Sequence, residues 1–333
     1  LRRAEADALL ASPAVASTRN AAQSGNLPEA TLICRTNWDK VSARNIVGTV
    51  EGTDPELKKQ TVVIGGYYDS MSVVPDLAPG AEAAVNMASL LEIARYFKAN
   101  PPKYSLMFMA NGAHHMTLAG MRNFAAKYFV DLSGSADDAA KERMKNYRAF
   151  VGLDITSRTP TVGLFAKSSF YNQMTVGSEN ILLKLFFPFA KTLYEDYARP
   201  LAKERGAGTE DLFVDGIRGL EGRTWRSYLP SLVALDSEVA TMAQKPGISF
   251  ATANDVRLLQ DTPFDTVQFV NVDNVARQIG TLQVLMSRAL TSGAGNRKND
   301  FETLPDSGSL SLNFGYAAGR AIYRDVTKIT TFL

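Results

Sequence analysis

The block Thr61-Val-Val-Ile-Gly-Gly-Tyr-Tyr-Asp-Ser70 runs four apolar or β-branched residues into two glycines and a polar turn. This is the pattern of a strand buried on both faces that delivers its C-terminal end to a site. A second such block, Tyr104-Ser-Leu-Met-Phe-Met-Ala-Asn-Gly112, leads to the pair His114-His115. Between them, Glu82 to Lys98 has amphipathic helical spacing, so the three segments predict a βαβ unit with a right-handed crossover. Ala149 to Ile155 predicts a third buried strand that carries Asp154 near its end, with Val162–Ala166 as a strand beside it. Further strands are expected at Asn45–Glu51, Ser231–Leu235 and Gly247–Ala251, and helices at Leu118–Phe129, Asn180–Asp196 and Val270–Ala289. The alternation predicts a three-layer α/β/α sandwich around a mixed, mostly parallel central sheet.

Domain limits follow from the breaks in this pattern. Residues 1–40 read as a lead-in of short Ala-rich helices and a strand at Ala30–Thr36, and residues 41–291 as the main domain. Residues 203–228, rich in glycine and charge, are expected to be a surface insertion, where Trp225 and Tyr228 form either a partner patch or core. Residues 292–333 read as a linker and the start of a further β segment, Val326–Leu333. The loop from Ser70 to Ala81 holds Pro75, Pro79 and Gly80 and is placed where a site loop belongs. A chain that opens on Leu1 is expected to be a mature or trimmed form of a longer protein.

Composition narrows the function classes. The 333 residues are 45% apolar and 21% charged, as in ordinary globular proteins. A formal net charge of +2 supplies no field for nucleic acid. Cys34 is the single cysteine, so neither a disulfide framework nor a cysteine metal cluster is expected. Ile181–Ala190 is broken by Lys184 and Pro188, and no run of 18 apolar residues predicts a membrane span.

Several blocks in order carry a resemblance. Asn45–Asp54, Val62–Ser70, Pro79-Gly-Ala81 opening a helix, Leu106–Ala113, Gly152–Ile155 and Asp261–Thr266 resemble those of the M28 family of zinc peptidases over roughly residues 40 to 290. The resemblance implies a zinc-exopeptidase-like fold and, in most members, an aminopeptidase or carboxypeptidase with two zinc ions. Two close cations polarise the peptide carbonyl and lower the pKa of a shared water, and a carboxylate takes its proton.

At the positions that match the family's motif, the donors differ. Tyr67 stands where the family has a zinc-binding His, and Ala83 where it has the bridging Asp, with Glu82 one residue early as a possible substitute. His114-His115 replaces a Glu-Glu pair, so His114 falls at the general-base position and His115 at a ligand position. Asp261 replaces a late His; Asp154 matches the family's acid ligand, and Asp69 its supporting acid. A tyrosine hydroxyl, with a pKa near ~10, is a poor zinc donor, and Ala83 offers none.

Two readings follow. In the first, no catalytic set is intact, no cofactor is expected, and the domain is a silent binding or scaffolding module for a protein or peptide partner. Its setting would be a larger extracytoplasmic, periplasmic or secreted, or membrane-attached protein, as the resemblance favours. In the second, the chain is a metal-dependent aminopeptidase or other hydrolase with one zinc on His115, Asp261 and Glu82, and His114 as base. Adjacent residues leaving a strand diverge, so one of the two histidines is expected to face the cavity. Asp154 needs a partner, for which the Tyr67 hydroxyl is the expected one.

Overall fold

The computed structural model describes residues 40–71, 79–131, 136–169, 183–291 and 300–312. The expected helices in residues 1–25, the strand at Ala30–Thr36, the linker at 292–299 and the β segment at Val326–Leu333 lie outside these. By internal contacts the chain divides at Ser42, and the fold below is that of the unit beginning at Ala43.

Strand β1 is Ile46–Val50 and β2 is Thr61–Tyr67; helix α1 (Ala81–Ala99) leads to β3 (Ser105–Asn111). Then come α2 (Ala119–Tyr128), α3 (Asp138–Asn146), β4 (Tyr147–Asp154) and β5 (Val162–Phe165). A helical rod, α4, runs from Phe187 to Glu204 with a π-helical middle at Thr192–Ala198. Strand β6 (Phe213–Asp215), α5 (Asp236–Met242), β7 (Gly247–Thr252) and α6 (Val272–Thr291) complete it. The sheet order is β1-β3-β2-β4-β7-β5-β6. Four of the six pairings are parallel; β1 with β3 and β5 with β7 are antiparallel. This is the predicted mixed sheet.

Alternation along β2 sorts its side chains onto two faces. Val62 and Ile64 enter the larger core with residues of α1, α4 and α6, whereas Val63 joins Met121 and Phe124 of α2 and Val239 of α5. Both faces are therefore covered, which is why the segment reads as a continuous apolar run rather than an alternating one. The chain leaves β2 toward β3 on one side and returns as β4 on the other. The crevice outside the carboxyl ends of these strands is thus a topological switch point, where such sheets place ligands.

Four expectations need correction. Residues 203–228 are not a surface insertion: Phe213–Asp215 is a buried strand in the sheet, and Trp225 and Tyr228 pack in a cluster with Phe165 and Val233. Charge and glycine dominate the count there, but the apolar residues are the ones that turn inward. Ser231–Leu235 is not a strand: it runs as irregular backbone into α5, and the edges of β7 are taken by β4 and β5. Nor is β5 beside β4; β7 lies between them and pairs with both. Finally, part of the expected tail belongs to this domain: Phe301, Leu304 and Leu310 enter the main core. The Arg148 guanidinium donates to the carbonyls of Phe301 and Leu304 at 2.5 and 2.8 Å.

Candidate functional site

At the end of β2 the ladder to β4 stops at Gly66 opposite Leu153. Beyond it Asn86 of α1, fully buried, bridges the gap: its Nδ2 donates to the Tyr67 carbonyl at 3.3 Å, and its Oδ1 accepts from the Ile155 N–H at 2.9 Å. This fixes the divergence of the two strand ends and so the separation of Tyr67 and Asp154. Their side chains meet directly, the Tyr67 hydroxyl donating to Asp154 Oδ1 at 3.2 Å. The expected pairing is present.

A residue not foreseen joins them. Arg257, on the loop after β7, donates through Nη1 to Asp154 Oδ1 at 2.6 Å, with both side chains buried. Gln260 of the same loop donates to the Tyr67 hydroxyl at 3.2 Å. Burial works against the Arg257 charge, but Asp154 beside it outweighs burial and holds the pKa above the ordinary arginine value. Burial first, and then Asp154, push the Tyr67 hydroxyl well above the usual tyrosine range, so it stays a phenol. The sequence marks the need, a buried carboxylate that calls for a counter-charge, but not the residue that meets it.

Both histidines, rather than one, line the cleft. Asp69 accounts for this by accepting the His114 N–H on Oδ1 at 3.1 Å and the His115 N–H on Oδ2 at 3.3 Å. The chain is thereby held in a turn, with Ala113 at φ 54°, and the strand's alternation no longer separates the two rings. His114 stacks on Tyr67 at 4.1 Å between centroids, and His115 meets Tyr67 edge-on at 5.6 Å. His114 Nδ1 lies 3.2 Å from Asp236 Oδ2, which also accepts from Asn111 Nδ2 at 2.9 Å. Asp236, at the start of α5, was likewise missed, because nothing local marks a helix-leading aspartate as a histidine partner.

Burial lowers the His114 pKa, but the Asp236 charge and hydrogen bond outweigh it, and the net displacement is upward. The stabilisation from this pair is fully present below the unfolded histidine value near ~6.5 and is lost as pH rises through the folded value. With Asp236→Asn, burial acts unopposed by that partner, so the His114 titration moves to lower pH. Proton NMR of the two histidine rings reads this directly; an unchanged His114 titration would show that Asp236 is not its partner.

Glu82 does not enter the cleft. It is buried against Ser157, accepting from its N–H and hydroxyl at 2.7 Å each, and burial raises its pKa. Its position follows from the start of α1, where Asp265 accepts the Glu82 N–H at 2.9 Å and Gly80 takes a left-handed φ of 68°. Ala83, on the same helix, is buried and has no donor atom. Asp261 does line the cleft, from a residue at φ 62°, and its Oδ1 accepts from Met71 N at 3.4 Å.

The cleft so formed has a volume of about 390 Å³. Its lining includes Tyr67, His114, His115, Arg257, Gln260 and Asp261 together with the 232–234 segment, where Leu232 is 92% exposed. The donor set does not fit a pair of zinc ions. Tyr67 is a phenol bonded to Asp154, Asp154 is neutralised by a guanidinium, Ala83 cannot bridge, and Glu82 is turned to Ser157. Among the described residues no three His, Cys, Asp or Glu side chains are grouped so as to hold a metal, so His115, Asp261 and Glu82 are not brought together as one site.

Comparison with known proteins places the fold. In structure the chain is similar to a zinc aminopeptidase from Bacillus subtilis, at 16% identity and a TM-score of 0.48 over 78% of this chain and 53% of that one. It is also similar to an aminopeptidase from Aneurinibacillus sp. strain AM-1, at 17% identity and a TM-score of 0.48 over 75% and 48%. A third is the gamma-secretase component nicastrin, at 12% identity and a TM-score of 0.45 over 78% and 45%. The chain thus spans about half the length of these proteins. No curated protein sequence matches it significantly. The model of peptidase family M28 matches residues 45–221, more than half of the chain and every strand from β1 to β6. With the strand-end cleft and the predicted sandwich both in place, this chain belongs to peptidase family M28.

Proposed function

We propose that this domain is catalytically silent and works by binding, its strand-end cleft serving as a recognition site for a protein or peptide partner. One observation carries the reading: the Arg257 guanidinium sits on the Asp154 carboxylate at 2.6 Å, with both groups buried. A fixed protein cation thus takes the charge that a dinuclear zinc site would give to metal. A divalent cation beside this guanidinium would meet repulsion at a few ångströms in a low-dielectric setting. The scaffold survives because fold and chemistry are separable.

Purified without chelator, the protein is expected to carry well below one zinc per chain. Aminoacyl and acyl-peptide chromogenic substrates are expected to remain uncleaved. Stoichiometric zinc together with turnover that disappears in His115→Ala would reject the reading in favour of a remodelled metallohydrolase.

A further inference from the structure

The loop between β7 and α6 presents apolar side chains where polar ones would be expected. Among the described residues sixteen large apolar side chains are exposed, and six of them fall within residues 256–272: Val256, Leu258, Phe264, Val267, Phe269 and Val272, at 43–81% exposure. Apolar residues scattered singly over a surface need no account, but a cluster of this density marks a contact surface. The backbone beneath is built from successive turns. Asp265 N donates to the Thr262 carbonyl, Phe269 N to Thr266 and Val270 N to Val267, at 3.0–3.1 Å. Asp265 ties the loop to the start of α1 by accepting the Ala81 and Glu82 N–H groups at 3.1 and 2.9 Å, and Asn274 Nδ2 donates to the Ser157 carbonyl at 2.9 Å. The side chains are therefore held out by a fixed scaffold, so that covering them costs little ordering entropy.

We infer that this loop is the contact surface of a homodimer, in which the same face of a second copy covers it about a two-fold axis. Size is the first argument. Scaled by their exposure, the six side chains offer on the order of 500 Å² of apolar surface. A standard interface takes about 800 Å² from each partner, of which about 65% is apolar between identical chains, so the two areas match. Composition is the second argument. Between Thr262 and Val272 the one charged residue is Asp265, which is buried, and interface centres are depleted of charge in this way. No Lys or Arg occurs from Leu258 to Ala276, whereas a surface that lies on a membrane carries them. The rim supplies the third argument. Asp273 and Arg277, one turn apart on α6, and Arg158, whose guanidinium lies 6.0 Å from the centre of the Phe269 ring, give it both signs of charge. Across a two-fold axis each sign can meet the other, so the face complements itself and needs no oppositely charged partner. The inference holds whether or not the strand-end cleft is silent, since none of these residues is in its lining.

Sedimentation equilibrium of the full chain from about 1 to 100 μM is expected to show a monomer–dimer equilibrium with Kd in the micromolar range or below. Phe264→Glu with Val267→Glu, both at exposed side chains, is expected to raise Kd by about tenfold or more, as the loss of a central apolar anchor does. Phe264→Ser with Val267→Ser is the milder pair should the charged one unfold. Leu91→Glu, on α1 and itself 63% exposed, is expected to leave Kd unchanged. A chain that stays monomeric at the highest concentration overturns the inference, as does a dimer that Leu91→Glu weakens and the loop variants do not. Growth past the dimer overturns the two-fold arrangement, because a face that does not pair with itself makes open chains or rings. Cosedimentation with phosphatidylcholine vesicles, lost in the loop variants while the wild type stays monomeric, would assign the face to a lipid surface instead.

Discussion

Replacing Arg257 by leucine is expected to cost about 3–5 kcal/mol of folding stability, the penalty of leaving a buried carboxylate without its counter-charge. Asp154 is 3% exposed, so solvent cannot take over the role of the guanidinium. The Tyr67 hydroxyl remains as a donor at 3.2 Å, but one neutral hydrogen bond does not replace a charged partner. Combining Arg257→Leu with Asp154→Asn is expected to recover most of the loss, since no charge is then left alone. Urea unfolding of the wild type, both single variants and the double variant gives the coupling directly. A double variant as unstable as Arg257→Leu would show that the pair contributes packing rather than charge neutralisation, and that Arg257 does not stand in for a metal ion.

Asn86→Leu is expected to cost about 2–4 kcal/mol, although the side chains are similar in volume. It strips partners from two buried backbone groups at once, the Ile155 N–H and the Tyr67 carbonyl, each worth about 1–3 kcal/mol when left unpaired. Both lie just past the last β2–β4 pair, where no ladder bond can substitute. The distinguishing measurement is amide exchange at Ile155, which should lose protection beyond that of Val151 in the same strand. Uniform loss along β4 would mean that Asn86 supports general stability and does not set the strand ends.

The two cases differ in how far the sequence announces them. Asn86 lies within a helix that amphipathic spacing placed correctly, and a polar residue on the buried face of that helix is itself a sign of backbone bridging. Arg257 lies in Asn254-Asp-Val-Arg257, a stretch with no periodicity, about 100 residues from the carboxylate it neutralises. Glu82 shows the opposite failure: it stands one residue from the bridging position in sequence, yet a helix turns successive residues by about 100°, and this carries its carboxylate away to Ser157. His114-His115 fails by a third route. Strand alternation would send the rings apart, and a carboxylate from another segment, Asp69, bends the chain and brings both into the cleft.

What the sequence determined by itself is whatever depends on local periodicity: the buried strands β2, β3 and β4, the helix between the first two, and the layered architecture; the resemblance to the family, in turn, marked which of its donor positions carry other residues here. What the tertiary structure alone decided is which side chains fill the vacated positions, the order of β5 and β7 in the sheet, and the inward turn of residues 213–228. The reason is physical. Hydrophobic patterning is written every two or four residues along the chain, whereas a buried charge must find its partner in space, and the loop that supplies it can come from anywhere the fold brings near.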